Sequence, residues 1–209
     1  YLLDLDDDLF AVPATKDPSG TYAAYTPSLE RLARGAARVT VSTEVLRSKV
    51  AGLNPRTTLL PNRLSERLWR GEIPVRIKDG VVRALYMGSM THQQDFEMIM
   101  PALAEVAAAD PTFRLAVIGV QQGELPTWIE QITVPEQAKD YVGFVPWLKE
   151  QSARFDFGLA PLVDDAFNRF KSDLKAMDCG ALGLPVLASD IPVFYGLRGR
   201  MPGLELVGN

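Results

Sequence analysis

The stretch FGLAPLVDDAFNRFKSDLKAMDCGALGLPVLASD, residues 157–190, decides the fold class of this chain. It opens with an apolar run at 157–161 that has strand character, and a helical pattern follows at 173–182. Gly183 ends that helix, and a second apolar run follows at 185–188. A helix that joins two apolar strands in this way is typical of the βαβ crossover in a parallel sheet.

The same alternation of apolar runs and helical patterns continues on the N-terminal side of that stretch. Further strands are predicted at 1–5, 38–42, 57–60, 82–87, 114–118 and 141–144, and further helices at 28–35, 43–53, 95–108 and 147–154, with a short helix near Trp128. In the helix at 95–108, a core-facing stripe is predicted to comprise Phe96, Ile99, Met100, Leu103 and Val106, and Pro101 should kink the helix.

The polar segment 63–79 interrupts this alternation and is predicted to be a linker. We therefore expect an α/β protein with two Rossmann-like, doubly wound parallel-sheet domains, one at 1–62 and one at 80–209. The chain starts inside a strand pattern and stops just after another one, so both domains are expected to be incomplete.

The composition is that of a globular protein and limits the classes of function. The chain has 209 residues, of which 47% are hydrophobic and 23% charged, and its net charge of −4 argues against a large basic face for nucleic acid. One cysteine, Cys179, and one histidine cannot form an internal disulfide or a zinc cage of soft ligands. With this lone cysteine, the chain is expected to be cytoplasmic. No apolar run approaches the roughly 20 residues that span a bilayer.

The helix at 173–182 and the residues just before it carry the clearest chemical pattern. Lys171, Lys175 and Asp178 are spaced by four and seven residues, which places them on one face of the helix. The free N–H groups of a helix N-terminus, the helix dipole and two lysines all favour a phosphate, and a carboxylate two turns on can accept hydrogen bonds from a ribose. The alternative is a solvated lysine face on which Asp178 only forms an ion pair with Lys175 or Lys171.

The stretch at 167–190 resembles the donor-binding signature of GT-B glycosyltransferases, in particular the family-four-like branch associated with O-antigen and other surface polysaccharides. The residues that match the signature are Phe167, Asn168, Lys171, Ser172, Lys175, Ala181, Gly183, Pro185 and Ser189. Asp178 stands where that branch usually has Glu, which keeps the charge and shortens the side chain by one methylene. The resemblance extends to YLLDLDDDLF at 1–10, ARVTVSTEVL at 37–46, TTLLPN at 57–62 and YMGSMTHQQDF at 86–96.

This resemblance implies a GT-B fold and the transfer of a sugar from a nucleoside-diphosphate sugar to a hydroxyl of a growing cell-surface glycan, without a metal or a further cofactor. Lys171, the backbone amides of Ser172 and Asp173, and Lys175 are expected to hold the diphosphate of the donor. Asp178 is expected to hold its ribose. The resemblance does not identify a catalytic base.

The turn after the first strand of the donor-side domain is expected to face the same donor. There, Gly88 would allow close backbone approach, and Ser89, Thr91 and His92 offer hydrogen bonds. No Lys or Arg occurs between Gly88 and Asp95, so a basic partner for the phosphate would be His92, Arg169 or a residue beyond this sequence. A polar loop residue or a helix-capping partner is the alternative interpretation of His92.

Two other functions stay open at this point. The acidic run Asp4, Asp6, Asp7 and Asp8 also resembles the first motif of haloacid-dehalogenase-like phosphatases, which use Mg²⁺, and Asp164 with Asp165 could mimic their metal-binding pair. However, Asp8 takes the place of the usual Thr and Asp7 that of the usual Gly. The second alternative is a non-catalytic sugar-nucleotide-binding or scaffolding domain.

The expected partners are a nucleotide sugar and a glycan or lipid-linked glycan acceptor. No nucleic acid is expected, because Trp69, Trp128 and Trp147 are too scattered to form a stacking platform. A peripheral contact with the inner face of a membrane would use the basic residues Arg31, Arg34, Arg47 and Lys49, although solvated helix faces explain these residues equally well.

Overall fold

The computed structural model describes residues 1–89, 92–119 and 125–208. The chain forms two compact units: unit 1 comprises Tyr1–Arg63 and Asp164–Asp173, and unit 2 comprises Leu64–Val163 and Leu174–Asn209. Each unit is built on one parallel sheet. Within the described ranges, no helix has both the length and the apolar character needed to cross a membrane.

Unit 1 contains a three-stranded sheet in the order β1-β2-β3. Its elements are β1 (Leu2–Leu5), α1 (Thr21–Gly35), β2 (Arg38–Val41), α2 (Glu44–Ala51) and β3 (Thr57–Leu59). The core of this unit comprises Leu5, Ala36, Val39, Val41, Leu46 and Val50. Phe170 packs against that core, and this contact explains why the segment 164–173 clusters with unit 1 although the sequence analysis assigns it to the donor-side domain.

Helix α1 is longer than the predicted helix at 28–35, because its first turn begins at Thr21. A carboxylate oxygen of Asp17 accepts a hydrogen bond from the N–H of Ala23 at 3.0 Å, so one of the free donors of that turn is satisfied. The helix continues through Pro27.

Unit 2 contains a six-stranded sheet in the order β6-β5-β4-β7-β8-β9. Its strands are β4 (Val82–Met87), β5 (Phe113–Ile118), β6 (Ile129–Ile132), β7 (Phe157–Ala160), β8 (Val186–Ser189) and β9 (Leu204–Val207). Its helices are α3 (Glu66–Trp69), α4 (Gln93–Ala109), α5 (Tyr141–Gln151), α6 (Leu174–Ala181) and α7 (Pro192–Tyr195).

Both faces of this six-stranded sheet are buried. Along β4, Ala84 and Tyr86 belong to one apolar cluster and Leu85 to the other, which is the alternation of a strand covered on both sides. Phe96 of α4 joins the first cluster and Leu148 of α5 joins the second. The sequence therefore predicts the crossover architecture of unit 2 correctly.

Two predicted elements of unit 2 are wrong. The short helix predicted near Trp128 is replaced by strand β6, which pairs with β5. The strand predicted at 141–144 is the first turn of α5, since the Asp140 side chain accepts a hydrogen bond from the N–H of Gly143 at 2.7 Å and caps the helix. In α4 the predicted core stripe holds except at Val106, which is 45% exposed.

The segment predicted as a linker, 63–79, contains α3 and packs against unit 2. The indole Nε1 of Trp69 donates to the hydroxyl of Tyr141 at 3.0 Å, and the N–H of Ile77 donates to the carbonyl of Ala153 at 2.7 Å. These bonds explain why the segment from Leu64 onward clusters with unit 2.

Candidate functional site

The strand order of unit 2 changes direction at β4, with β5 and β6 on one side and β7, β8 and β9 on the other. Open parallel sheets bind ligands beyond the carboxyl ends of their strands at such a switch point. A cleft of about 560 Å³ opens beyond the ends of β4 and β5, and all of its lining residues belong to unit 2. They are Met87, Gly88, Ser89, His92, Ile118, Gly119, Val134, Ala138, Lys139, Phe144 and Lys175.

Two glycines let the backbone of the two strand ends come close together in this cleft. The N–H of Gly88 donates to the carbonyl of Ile118 at 3.0 Å. Gly119 has a φ of +88°, and a Cβ atom at this position would lie 2.6 Å from the carbonyl oxygen of Gly88. No side chain fits there, so exposed backbone forms this part of the cleft.

His92 lines the cleft and is held by several groups of unit 2. Its Nδ1 lies 2.6 Å from a carboxylate oxygen of Asp95, a residue that is fully buried. The hydroxyl of Tyr86 donates to the carbonyl of His92 at 3.2 Å, and the N–H of His92 donates to the carbonyl of Ser89 at 2.9 Å. Burial, and next to it the charge of Asp95, raise the pKa of the Tyr86 phenol, so this hydroxyl stays protonated and can donate.

Helix α6 contributes a cation to the same cleft. The Nζ atom of Lys175 lies 5.3 Å from the centroid of the Tyr86 ring, a distance at which a cation is attracted to the face of an aromatic ring. Lys139 adds a second lysine to the lining. The cleft thus combines two lysines, one histidine and exposed backbone, and this composition suits an anionic ligand.

Asp178 lies one turn beyond Lys175 on α6 and is partly buried. Burial raises the pKa of its carboxyl to about 7. Its Oδ1 atom is buried and receives no hydrogen bond from any residue within the described ranges. A carboxyl group in this situation gains from a ligand that brings a hydroxyl, because burying a polar group without a partner is unfavourable.

Asp178 is not among the residues that line the cleft, and the remaining predicted donor-binding residues that the structure describes are absent from the lining as well. Lys171 and Ser172 belong to unit 1, where the Nζ atom of Lys171 is 3.1 Å from a carboxylate oxygen of Asp7 and the Ser172 hydroxyl accepts a bond from Asn62 at 2.9 Å. Asp173 directly precedes α6, at the position of a capping residue. Thr91 lies outside the described residues. The roles of these residues stay predictions.

The acidic residues in and just after β1 accept hydrogen bonds from donors within unit 1. Asp4 accepts from Thr40, Asp6 accepts from Asn62 at 2.7 Å, and Asp8, only 2% exposed, pairs with Lys49 at 2.6 Å. In the same unit, Asp164 pairs with Arg169 and Asp165 accepts the N–H of Asn168. This pattern favours a structural role for these carboxylates over the phosphatase interpretation. The sequence analysis did not single out Asn62, which donates to Asp6 and to the Ser172 hydroxyl.

Sequence comparison gives one family match. The profile described as glycosyl transferases group 1 matches residues 82–200, which is more than half of the chain and covers the whole lining of the cleft. Among proteins of curated function, none shows significant sequence similarity to the chain.

Solved structures with a similar fold include WaaG and TarM. The chain is similar over its whole length to 61% of WaaG, described as a glycosyltransferase involved in lipopolysaccharide biosynthesis, with 16% identity and a TM-score of 0.67. It is similar over 90% of its length to 36% of TarM, with 12% identity and a TM-score of 0.56. A TarM variant from S. aureus, in complex with Fondaparinux, alpha-GlcNAc-glycerol and UDP, gives 13% identity and a TM-score of 0.50. The predicted fold class, α/β of the GT-B type, is confirmed.

Proposed function

This chain belongs to the group 1 glycosyl transferases, and from that premise we propose that it transfers a sugar from a nucleoside-diphosphate sugar to a hydroxyl of a growing cell-surface glycan. The observation that carries the proposal is the cleft in unit 2, which offers cations and glycine backbone at the switch point of a parallel sheet. The similarity of the fold to WaaG, whose description names lipopolysaccharide biosynthesis, supports a surface glycan as the acceptor.

In this reaction an acceptor oxygen forms a bond to the anomeric carbon of the sugar, while the bond from that carbon to the diphosphate oxygen breaks. The acceptor proton passes to a base, and negative charge builds on the departing nucleoside diphosphate. Lys175 and the backbone at Gly88 and Gly119 line the cleft, and in this proposal they stabilise that charge. The β-phosphate would lie against these groups.

Asp178 is the proposed partner of the ribose. A carboxyl group with a pKa of about 7 has a large neutral fraction at physiological pH, and both its neutral and its charged form can bond a hydroxyl. Phe144 and Val134 give the cleft an apolar wall on which a base could pack.

The proposed transfer needs no metal, because Lys139, Lys175 and the N-terminus of α6 would supply the positive charge that a divalent cation provides elsewhere. Turnover is therefore expected to persist in EDTA. Loss of turnover in EDTA and its recovery with Mg²⁺ or Mn²⁺ would contradict this part of the proposal.

A second candidate is a nucleotide-binding domain without catalysis. The ion pair between Lys171 and Asp7 favours it, since the lysine that resembles a phosphate ligand already has an anionic partner in unit 1. Both candidates require nucleotide binding, and only the first requires turnover.

The test measures release of nucleoside diphosphate from UDP-, GDP-, dTDP- and CDP-sugars by the chain in the presence of glycolipid acceptors. We expect release with one base, its loss in Lys175→Ala, which removes a lysine of the cleft, and unchanged release in the control Lys78→Ala, which removes an exposed lysine of unit 2. Binding of a nucleotide sugar without release, against every acceptor, would favour the second candidate. Mg²⁺-dependent hydrolysis of a phosphate ester that disappears in Asp4→Asn would instead favour a phosphatase.

A further inference from the structure

Asp95 is a buried charge that the proposed function does not yet use. It lies in the first turn of α4 and is 0% exposed. One carboxylate oxygen is 2.6 Å from Nδ1 of His92, and the other accepts the N–H of Val163 at 2.9 Å. A fully buried carboxylate is unfavourable unless its partners compensate it, and here the side-chain partner is a residue of the cleft.

The hydrogen bond between Asp95 and His92 fixes the orientation of the imidazole ring. Because the carboxylate accepts from Nδ1, the proton of the neutral ring lies on Nδ1, and Nε2 lies on the opposite edge. The backbone of His92 is held as well, by its N–H bond to Ser89 and by the hydroxyl of Tyr86. Asp95 therefore orients the ring, while Tyr86 and Ser89 hold the backbone of His92.

The same carboxylate favours the charged form of the imidazole. Lys139 and Lys175 line the cleft with His92 and oppose a third positive charge, whereas Asp95 stabilises it. An imidazolium donates from Nε2, and a diphosphate accepts. The segment between Gly88 and Asp95 contains no Lys or Arg, so a charged His92 would supply the cation that this turn lacks.

On the basis of the proposed function, we propose that Asp95 is a positioning residue that orients His92 and holds it as an imidazolium, so that Nε2 donates to the diphosphate of the donor. Asp95 itself does not touch the donor. Its second oxygen accepts the N–H of Val163, just beyond β7, so the carboxylate also connects His92 to the chain after β7.

The chain offers a direct experiment, because His92 is its sole histidine and gives one set of imidazole signals in an NMR spectrum. These signals are followed against pH in the full chain without ligand, for the wild type, Asp95→Asn and Glu97→Gln. The last variant is the control, since it removes an exposed carboxylate from the same helix. We expect the midpoint of the imidazole titration to be lower in Asp95→Asn than in the wild type, and unchanged in Glu97→Gln.

The second measurement is the dissociation constant of UDP, GDP, dTDP and CDP at pH 7 and at pH 5.5. We expect about tenfold weaker binding of the preferred nucleotide in Asp95→Asn at pH 7, a smaller loss at pH 5.5, and recovery in Asp95→Glu. A purely structural role would lower the melting temperature and leave the titration midpoint in place. Equal midpoints in the wild type and Asp95→Asn, or an equal loss of affinity at both pH values, would overturn the proposal. If no nucleotide binds the wild type, the proposed function fails, while the titration without ligand still decides whether Asp95 sets the charge of His92.

Discussion

Asp178 and Cys179 are adjacent on α6 and show how the fold assigns different roles to neighbouring side chains. The thiol of Cys179 is 1% exposed, and burial, together with the charge of Asp178, raises its pKa to about 12. A Cβ atom on Gly158 of β7 would lie 2.5 Å from its sulfur, so the helix and the strand are in close contact here. Cys179 is a small apolar core residue, as the sequence predicts.

Asp178 makes stability depend on pH in a defined direction. Its pKa rises from 3.8 to about 7 on folding because burial disfavours the charge, and each unit corresponds to about 1.4 kcal/mol. The folded state therefore binds more protons between about pH 4 and 7, and its stability falls as the pH rises through this window. We expect Asp178→Asn to remove most of this fall and to raise the melting temperature at pH 8. The measurement is the change in melting temperature between pH 5 and pH 8. An equal change in the wild type, in Asp178→Asn and in Glu97→Gln would contradict the expectation.

Substitution of Gly119 tests how much the close approach of the ends of β4 and β5 matters for stability. Gly119→Ala would place a Cβ atom 2.6 Å from the Gly88 carbonyl in addition to its strained positive φ, whereas Gly80→Ala meets nothing within 4 Å at a φ of +78°. We expect a loss of about 1 kcal/mol in the free energy of unfolding for Gly80→Ala and about 3 kcal/mol for Gly119→Ala, measured by urea denaturation. Equal losses in the two variants would show that the backbone contact between Gly88 and Gly119 is unimportant.

The sequence predicts part of the cleft residue by residue. Gly88, Ser89, His92 and Lys175 are predicted to bind the donor and do line the cleft, although their role is untested. Lys139 is missed because it reaches the cleft from a different part of the chain, after β6, and local spacing cannot show that. Gly119 and Phe144 are missed as well, because their place in the cleft, like that of Lys139, depends on tertiary packing.

Among the elements, errors of the sequence analysis concentrate where local propensity opposes the final structure. The residues of α5 include Val142, Gly143 and Pro146, all of which disfavour a helix. Asp140 at the cap and the buried Val145 and Leu148 decide in favour of the helix. Strand β6 lacks alternation, because its buried residues are the two end residues, Ile129 and Ile132, and its pairing with β5 makes it a strand.

The cap of α5 provides a test at the scale of the element. Asp140→Ala removes the acceptor of the Gly143 N–H and leaves that donor at the start of the helix without its side-chain partner. We expect a loss of about 1 kcal/mol in the free energy of unfolding, from denaturant titration, and a loss of a few tenths in Asp140→Asn, which can still accept the bond. A similar loss in both variants would mean that the charge, rather than the cap, stabilises this turn.

At the scale of the whole molecule, the residues of the donor signature belong to both units. Those up to Asp173 belong to unit 1, and those from Leu174 onward belong to unit 2. Lys171 and Ser172 belong to unit 1 through their contacts with Asp7 and Asn62, whereas Lys175 and Asp178 belong to unit 2. Sequence spacing predicts that Lys171, Lys175 and Asp178 share one helix face, but α6 begins only at Leu174. Unit 2 by itself contains the complete lining of the cleft, so the account makes this unit the one that binds the donor.

The most direct test of that claim is the rise in melting temperature that saturating UDP, GDP, dTDP or CDP produces in the wild type, Lys175→Met and Lys78→Met. A ligand present at 100 times its dissociation constant stabilises the folded state by about 2.7 kcal/mol. The account predicts a rise with at least one nucleotide in the wild type and in Lys78→Met, and its loss in Lys175→Met, whose unliganded melting curve shows that it is folded. No rise with any nucleotide in a folded wild type, or an equal rise in Lys175→Met, would contradict it.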